Sequence, residues 1–76
     1  MLSYKEFEAE VKELGLEFEK WQHLLAAIPP QYRRRYIDTL KTGWDMPAAF
    51  DIVMICTHMA DTAYADMLAK RPPTAG

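Results

Sequence analysis

Eight apolar residues, Tyr4, Phe7, Val11, Leu14, Phe18, Trp21, Leu25 and Ile28, follow one another at spacings of three and four along the first third of the chain. That rhythm is the signature of one helix face turned toward a core. Gly15 stands in its middle. A glycine in a helix interior costs about 1 kcal/mol relative to alanine, whereas each large side chain buried along the seam contributes roughly 1.5–3 kcal/mol. The comparison predicts a single helix from about Tyr4 to Ile28, roughly 37 Å long, with room for a kink at Gly15. Its start is well marked. Ser3 and Glu6 have the spacing of a capping box, and Leu2 and Phe7 that of a hydrophobic staple. Pro29 closes it, because the residue before a proline is pushed out of helical geometry.

A short second helix is expected over about 31–42. Pro30 suits its first turn, and Gly43 is placed to end it just past the C-cap. Tyr36, Ile37 and Leu40 share one side. Asp45 is a good N-cap for a third helix, and Pro47 is tolerated in its first turn. That helix is expected from about Met46 to Ala69. At about 100° per residue its apolar arc covers half the circumference, with Met54 and Ile55 on the margins, so it should touch more than one neighbour. The expected architecture is all-α: a small three-helix bundle over residues 1–70, with a flexible C-terminal tail at 71–76.

A chain of 76 residues lies near the lower limit for a self-supporting core. Its lone cysteine, Cys56, rules out an intrachain disulfide and fits a reducing, cytoplasmic setting. The start "MLSYKEFEAE" turns acidic at once, unlike a secretory leader. No apolar run approaches the ~20 residues needed to span a bilayer. Oligomerisation is one way such a chain gains stability. Ala49, Cys56 and Ala63 recur every seven residues on the third helix, with Ala60 beside them. Small side chains in line either form a groove for Phe18 and Trp21 of the first helix or let the third helices of two subunits approach across a two-fold axis. The aromatic seam and acidic flanks of the first helix argue against a parallel coiled coil.

Sites for chemistry are weak. Arg33, Arg34 and Arg35, flanked by Tyr32 and Tyr36, form the main basic cluster, and phosphate or nucleic-acid contact is one reading of it. Consecutive arginines on a helix point to different faces, however, and Arg34 can pair with Asp38 one turn on. A helix–turn–helix reading fails at "MPAAFDIVMI", which offers no side chain suited to base edges. His58 with Asp61, and Glu19 with His23, could each supply two metal ligands. Neither is repeated, and the Glu-x-x-His signature of di-metal bundles is absent. Cys56 has no histidine one helical turn away to activate it, and reads as a small core residue. The glycines are isolated, so no phosphate-binding loop exists. Ser3, the one serine, is committed to capping.

Neither catalysis, a cofactor nor a metal is therefore expected. The net charge of −2 supplies no field to attract anionic polymers or membranes. The expected function is that of a small protein–protein interaction module, an adaptor or inhibitor acting on a partner protein, as a homodimer. Short, motif-free chains of this kind are common among accessory products of phages and mobile elements. The candidate partner-binding residues are Trp44, Met54, Ile55, Met59 and the patch Arg33, Arg34 and Arg35. The candidate dimer interface is Ala49, Cys56, Ala60 and Ala63. The alternative is a nucleic-acid-associated regulator that uses the three arginines.

Overall fold

The computed structural model describes residues 1–71. They are helical, without a strand. The order is α1 (Tyr4–Glu13), a 3-10 turn (Glu19–Trp21), α2 (Gln22–Ala26), a 3-10 turn (Pro30–Tyr32), α3 (Arg33–Lys41), α4 (Met46–Ile55) and α5 (Asp61–Lys70). No helix among these residues is long and apolar enough to cross a membrane. The tail expected at 71–76 falls, beyond Arg71, outside the described residues.

The rod expected through Gly15 does not form. Helix α1 begins as predicted: the Glu6 amide donates to Ser3 Oγ at 3.1 Å, and the Ser3 amide donates to Glu6 Oε1 at 2.9 Å. It ends at Glu13. Leu14 is the C-cap, and Gly15 follows at φ +79° with its N–H on the Lys12 carbonyl. That is the left-handed residue past a helix end, the place glycine fills without strain. The chain then turns back. Phe18, Leu25 and Ile28 still reach the core that holds Phe7 and Val11. The rings of Phe7 and Phe18 meet edge-on with centroids 6.2 Å apart, and Phe7 and Tyr36 do the same at 5.8 Å. Lys12 holds the corner from outside, bridging Glu8 at 2.9 Å and Glu19 at 2.8 Å.

The predicted helix over 46–69 is likewise two helices. Asp45 caps α4, accepting the Ala48 amide at 2.8 Å, but α4 stops at Ile55 and α5 starts at Asp61. The second helix is shorter than expected by a 3-10 turn at its start. Gly43, at φ +104°, closes α3 with its N–H on the Leu40 carbonyl. The expected bundle of two long helices and a short one thus gives way, among the described residues, to five short helices. They fit within 29 × 27 × 18 Å, less than the length of the expected rod.

The polar-looking α3 is the hub. Arg35, Tyr36, Ile37, Thr39 and Leu40 are buried, an arc reaching more than half way round the helix. Tyr36 donates its hydroxyl to the Met46 carbonyl of α4 at 2.9 Å. Thr39 Oγ1 donates back to the Arg35 carbonyl at 2.8 Å, so at 2.6 Å from Tyr64 of α5 it accepts that hydroxyl's proton. Burial raises the pKa of both tyrosines, because the phenolate loses its water; at Tyr64 the Thr39 hydrogen bond and the nearby Arg35 offset only part of that loss.

Candidate functional site

The basic cluster is the first candidate, and its side chains are engaged within the chain. Arg33 donates to the Leu2 carbonyl at 3.0 Å and lies 5.4 Å from the centroid of the Tyr4 ring. Arg34 grips Glu10 of α1 with both terminal nitrogens, at 2.9 and 3.0 Å. That bidentate pair replaces the expected Arg34–Asp38 contact and fastens α3 to α1. Arg35 turns the other way. It donates to the carbonyls of Cys56 at 3.0 Å and Met59 at 2.8 Å, and to Asp61 Oδ1 at 2.7 Å. Its guanidinium sits between the rings of Tyr32 and Tyr64, 5.3 and 4.7 Å from their centroids. The Arg35 side chain is only 7% exposed, whereas Asp61 is 94% exposed. Two carbonyls, a carboxylate and two ring faces together replace the lost water of a buried cation.

The apolar candidates divide. Trp44, Ile55 and Cys56 line one recess of about 260 Å³, together with Ala48, Asp51, Ile52 and Arg71. Trp44 is buried, Cys56 half-buried, and Ile55 stands 73% exposed. Met54 and Met59 are half-buried and do not belong to this lining. Sequence reasoning missed Ala48, Asp51, Ile52 and Arg71. For the first three a signal existed: Ala48, Asp51, Ile52 and Ile55 are spaced i, i+3, i+4, i+7, one face of α4, with Trp44 a turn earlier. Nothing local places Arg71 near them, because the path to it passes through the break between α4 and α5.

The small-residue line does not survive as one surface. Ala49 is fully buried in the core, while Ala60 and Ala63 are exposed beyond the break. The expectation of a continuous stripe through Ala49, Cys56 and Ala63 assumed one helix, and the break between α4 and α5 turns its two ends apart. Of the paired metal-ligand candidates, Asp61 is bonded to Arg35 and Glu19 to Lys12. Among the described residues no group of three or more histidine, cysteine or acidic side chains is placed to hold a metal ion. Comparison of the chain with protein-family models, with curated proteins and with solved structures finds no match, so geometry alone carries the reading of the recess.

Proposed function

We propose that this chain is a non-enzymatic protein–protein interaction module, an adaptor or inhibitor that modulates a partner protein in the cytoplasm. The observation that carries this reading is the face of α4 around Ile55. A branched aliphatic side chain stands in solvent beside an apolar recess, at the end of a helix that buries Met46, Ala49, Ile52 and Val53. Isolated surface apolar residues are ordinary. One beside a recess floored by an aromatic ring has the form of an interface core. Asp51 and Arg71 add opposite charges to the lining. The partner that fits presents an apolar anchor with a basic group for Asp51 and an acidic group for Arg71. The arginines of α3 favour this reading over the nucleic-acid one, because each spends at least one terminal nitrogen on a partner inside the chain.

Quantitative affinity capture from the source cell tests it, comparing the native chain with Ile55→Glu. The substitution is at an exposed position and should leave thermal unfolding within about 0.5 kcal/mol of the native value. The expected result is selective loss of a partner that binds the native chain directly when purified. Capture of the same proteins in the same amounts by both chains would sink the proposal.

A further inference from the structure

The break between α4 and α5 has no local cause. Cys56, Thr57, His58, Met59 and Ala60 include neither proline nor glycine. Ala60, the N-cap of α5, provides no side-chain acceptor for the first amides of that helix. The apolar periodicity runs through the segment, which is why the sequence predicts one helix there. The bend is held from outside. In a continuous helix the carbonyls of Cys56, Thr57 and Met59 would accept the amides of Ala60, Asp61 and Ala63. In the folded chain those three carbonyls accept from side chains, and that of Cys56 also from the Met59 amide at 3.1 Å. Arg35 takes Cys56 and Met59, and the Tyr32 hydroxyl takes Thr57 at 3.2 Å. Beyond the bend α5 is held by a narrow stripe, since only Tyr64 and Leu68 are buried along it.

We propose that α4 and α5 are two halves of one helix, bent by a clamp of Arg35 and Tyr32, and that the chain dimerises by exchanging α5 with a second copy when the clamp opens. Straightening joins the carbonyls of Cys56, Thr57 and Met59 to their helical partners and removes the uncapped start of α5. It also lifts Tyr64 from its seat on Thr39 of α3 and Leu68 from the core. Those two side chains then need an identical seat, and a second copy of the chain offers one. The contacts made by an exchanged α5 are those it makes within one chain, Tyr64 on Thr39 and Asp61 on Arg35. The balance between monomer and dimer is therefore set by the hinge and by concentration.

Sedimentation under reducing conditions, over a wide concentration range, tests the proposal. Arg35→Met removes most of the clamp. Tyr32→Phe removes only the hydroxyl on the Thr57 carbonyl and keeps the ring. Each is expected to raise the dimerisation constant, Arg35→Met by about tenfold or more and Tyr32→Phe by less. Ala60→Pro suits the bent form, since Ala60 sits at φ −67°, and it blocks the straight helix. Added to either clamp variant it should return the protein to monomer. In the dimer the amides of Ala60, Asp61 and Ala63 should gain protection from hydrogen exchange. If Arg35→Met does not fold, Tyr32→Phe decides. Folded clamp variants that stay monomeric at all concentrations overturn the proposal, as does a dimer that survives Ala60→Pro or leaves those three amides unprotected.

Discussion

Gly15 is the residue on which the architecture turns. At φ +79° it holds a conformation that side-chain-bearing residues adopt at a cost, although a Cβ there would meet nothing within 4 Å. Gly15→Ala should therefore destabilise the protein by about 1–2 kcal/mol through backbone strain alone. In a continuous helix the same change would stabilise by about 1 kcal/mol, so the sign of the shift in urea unfolding reports the local geometry. Trp44 gives the opposite case. Its indole Nε1 is buried with no hydrogen-bond partner among the described residues. Trp44→Phe removes no hydrogen bond and should cost about 1 kcal/mol or less, against about 3–5 kcal/mol for Trp44→Ala. Thr39 lies between these extremes. Thr39→Val leaves the buried Tyr64 hydroxyl without its acceptor and should cost about 1–3 kcal/mol by denaturant unfolding.

At the scale of elements, ends were more legible than continuity. The box at Ser3, the caps at Asp45 and Gly43, and the proline stop at Pro29 all depend on a few adjacent residues. The first three stand where the sequence placed them, and the helix before Pro29 ends at Ala26, two residues earlier than expected. The capping box has a measurable consequence. The hydrogen bond from the Ser3 backbone, then that from its side chain, holds the Glu6 carboxyl below the ordinary glutamate value of 4.5. A depressed pKa in the folded state gives stability that is present above the unfolded value and lost as pH falls through the folded one. Stability should thus decline below about pH 4.5; Glu6→Gln should flatten that part of the curve in acid-unfolding titrations, and Ser3→Ala, which keeps the backbone donor, should flatten it less. Continuity through Gly15 failed for a different reason. The cost of a helical glycine weighs against the burial of Phe18, Leu25 and Ile28 only if that burial requires a straight helix. A turned chain buries the same side chains, so burial does not discriminate. Compactness does, because a small core is better covered by short helices folded back than by one that overhangs it.

Across the whole molecule, the tyrosines of α3 and α5 tie stability to the alkaline limb of the pH range. Burial raises the pKa of Tyr36 and Tyr64 above the ordinary value of 10.0. A raised folded-state pKa gives stability that is complete below the unfolded value and lost as pH rises toward the folded one. The protein should weaken above about pH 10, and a stability profile flat from neutral pH through that region would contradict the buried hydroxyls. The sequence by itself determined the class of secondary structure, the capped ends and most of the apolar core, since each follows from neighbours within a turn or two. Tyr4 and Leu14 of the seam nevertheless stay exposed, and Arg35 and Thr39 are buried against the apolar pattern. Part of the candidate recess was readable in the same way, as the α4 face that runs from Ala48 to Ile55. The tertiary structure alone decided where helices stop without a local breaker, which arginine faces which partner, and that α3 is the hub. Those outcomes rest on contacts between residues more than twenty positions apart, such as Arg34 with Glu10 and Arg35 with Asp61. Periodicity carries no information about such pairs, because it records which face of a segment is apolar and not what comes to cover it.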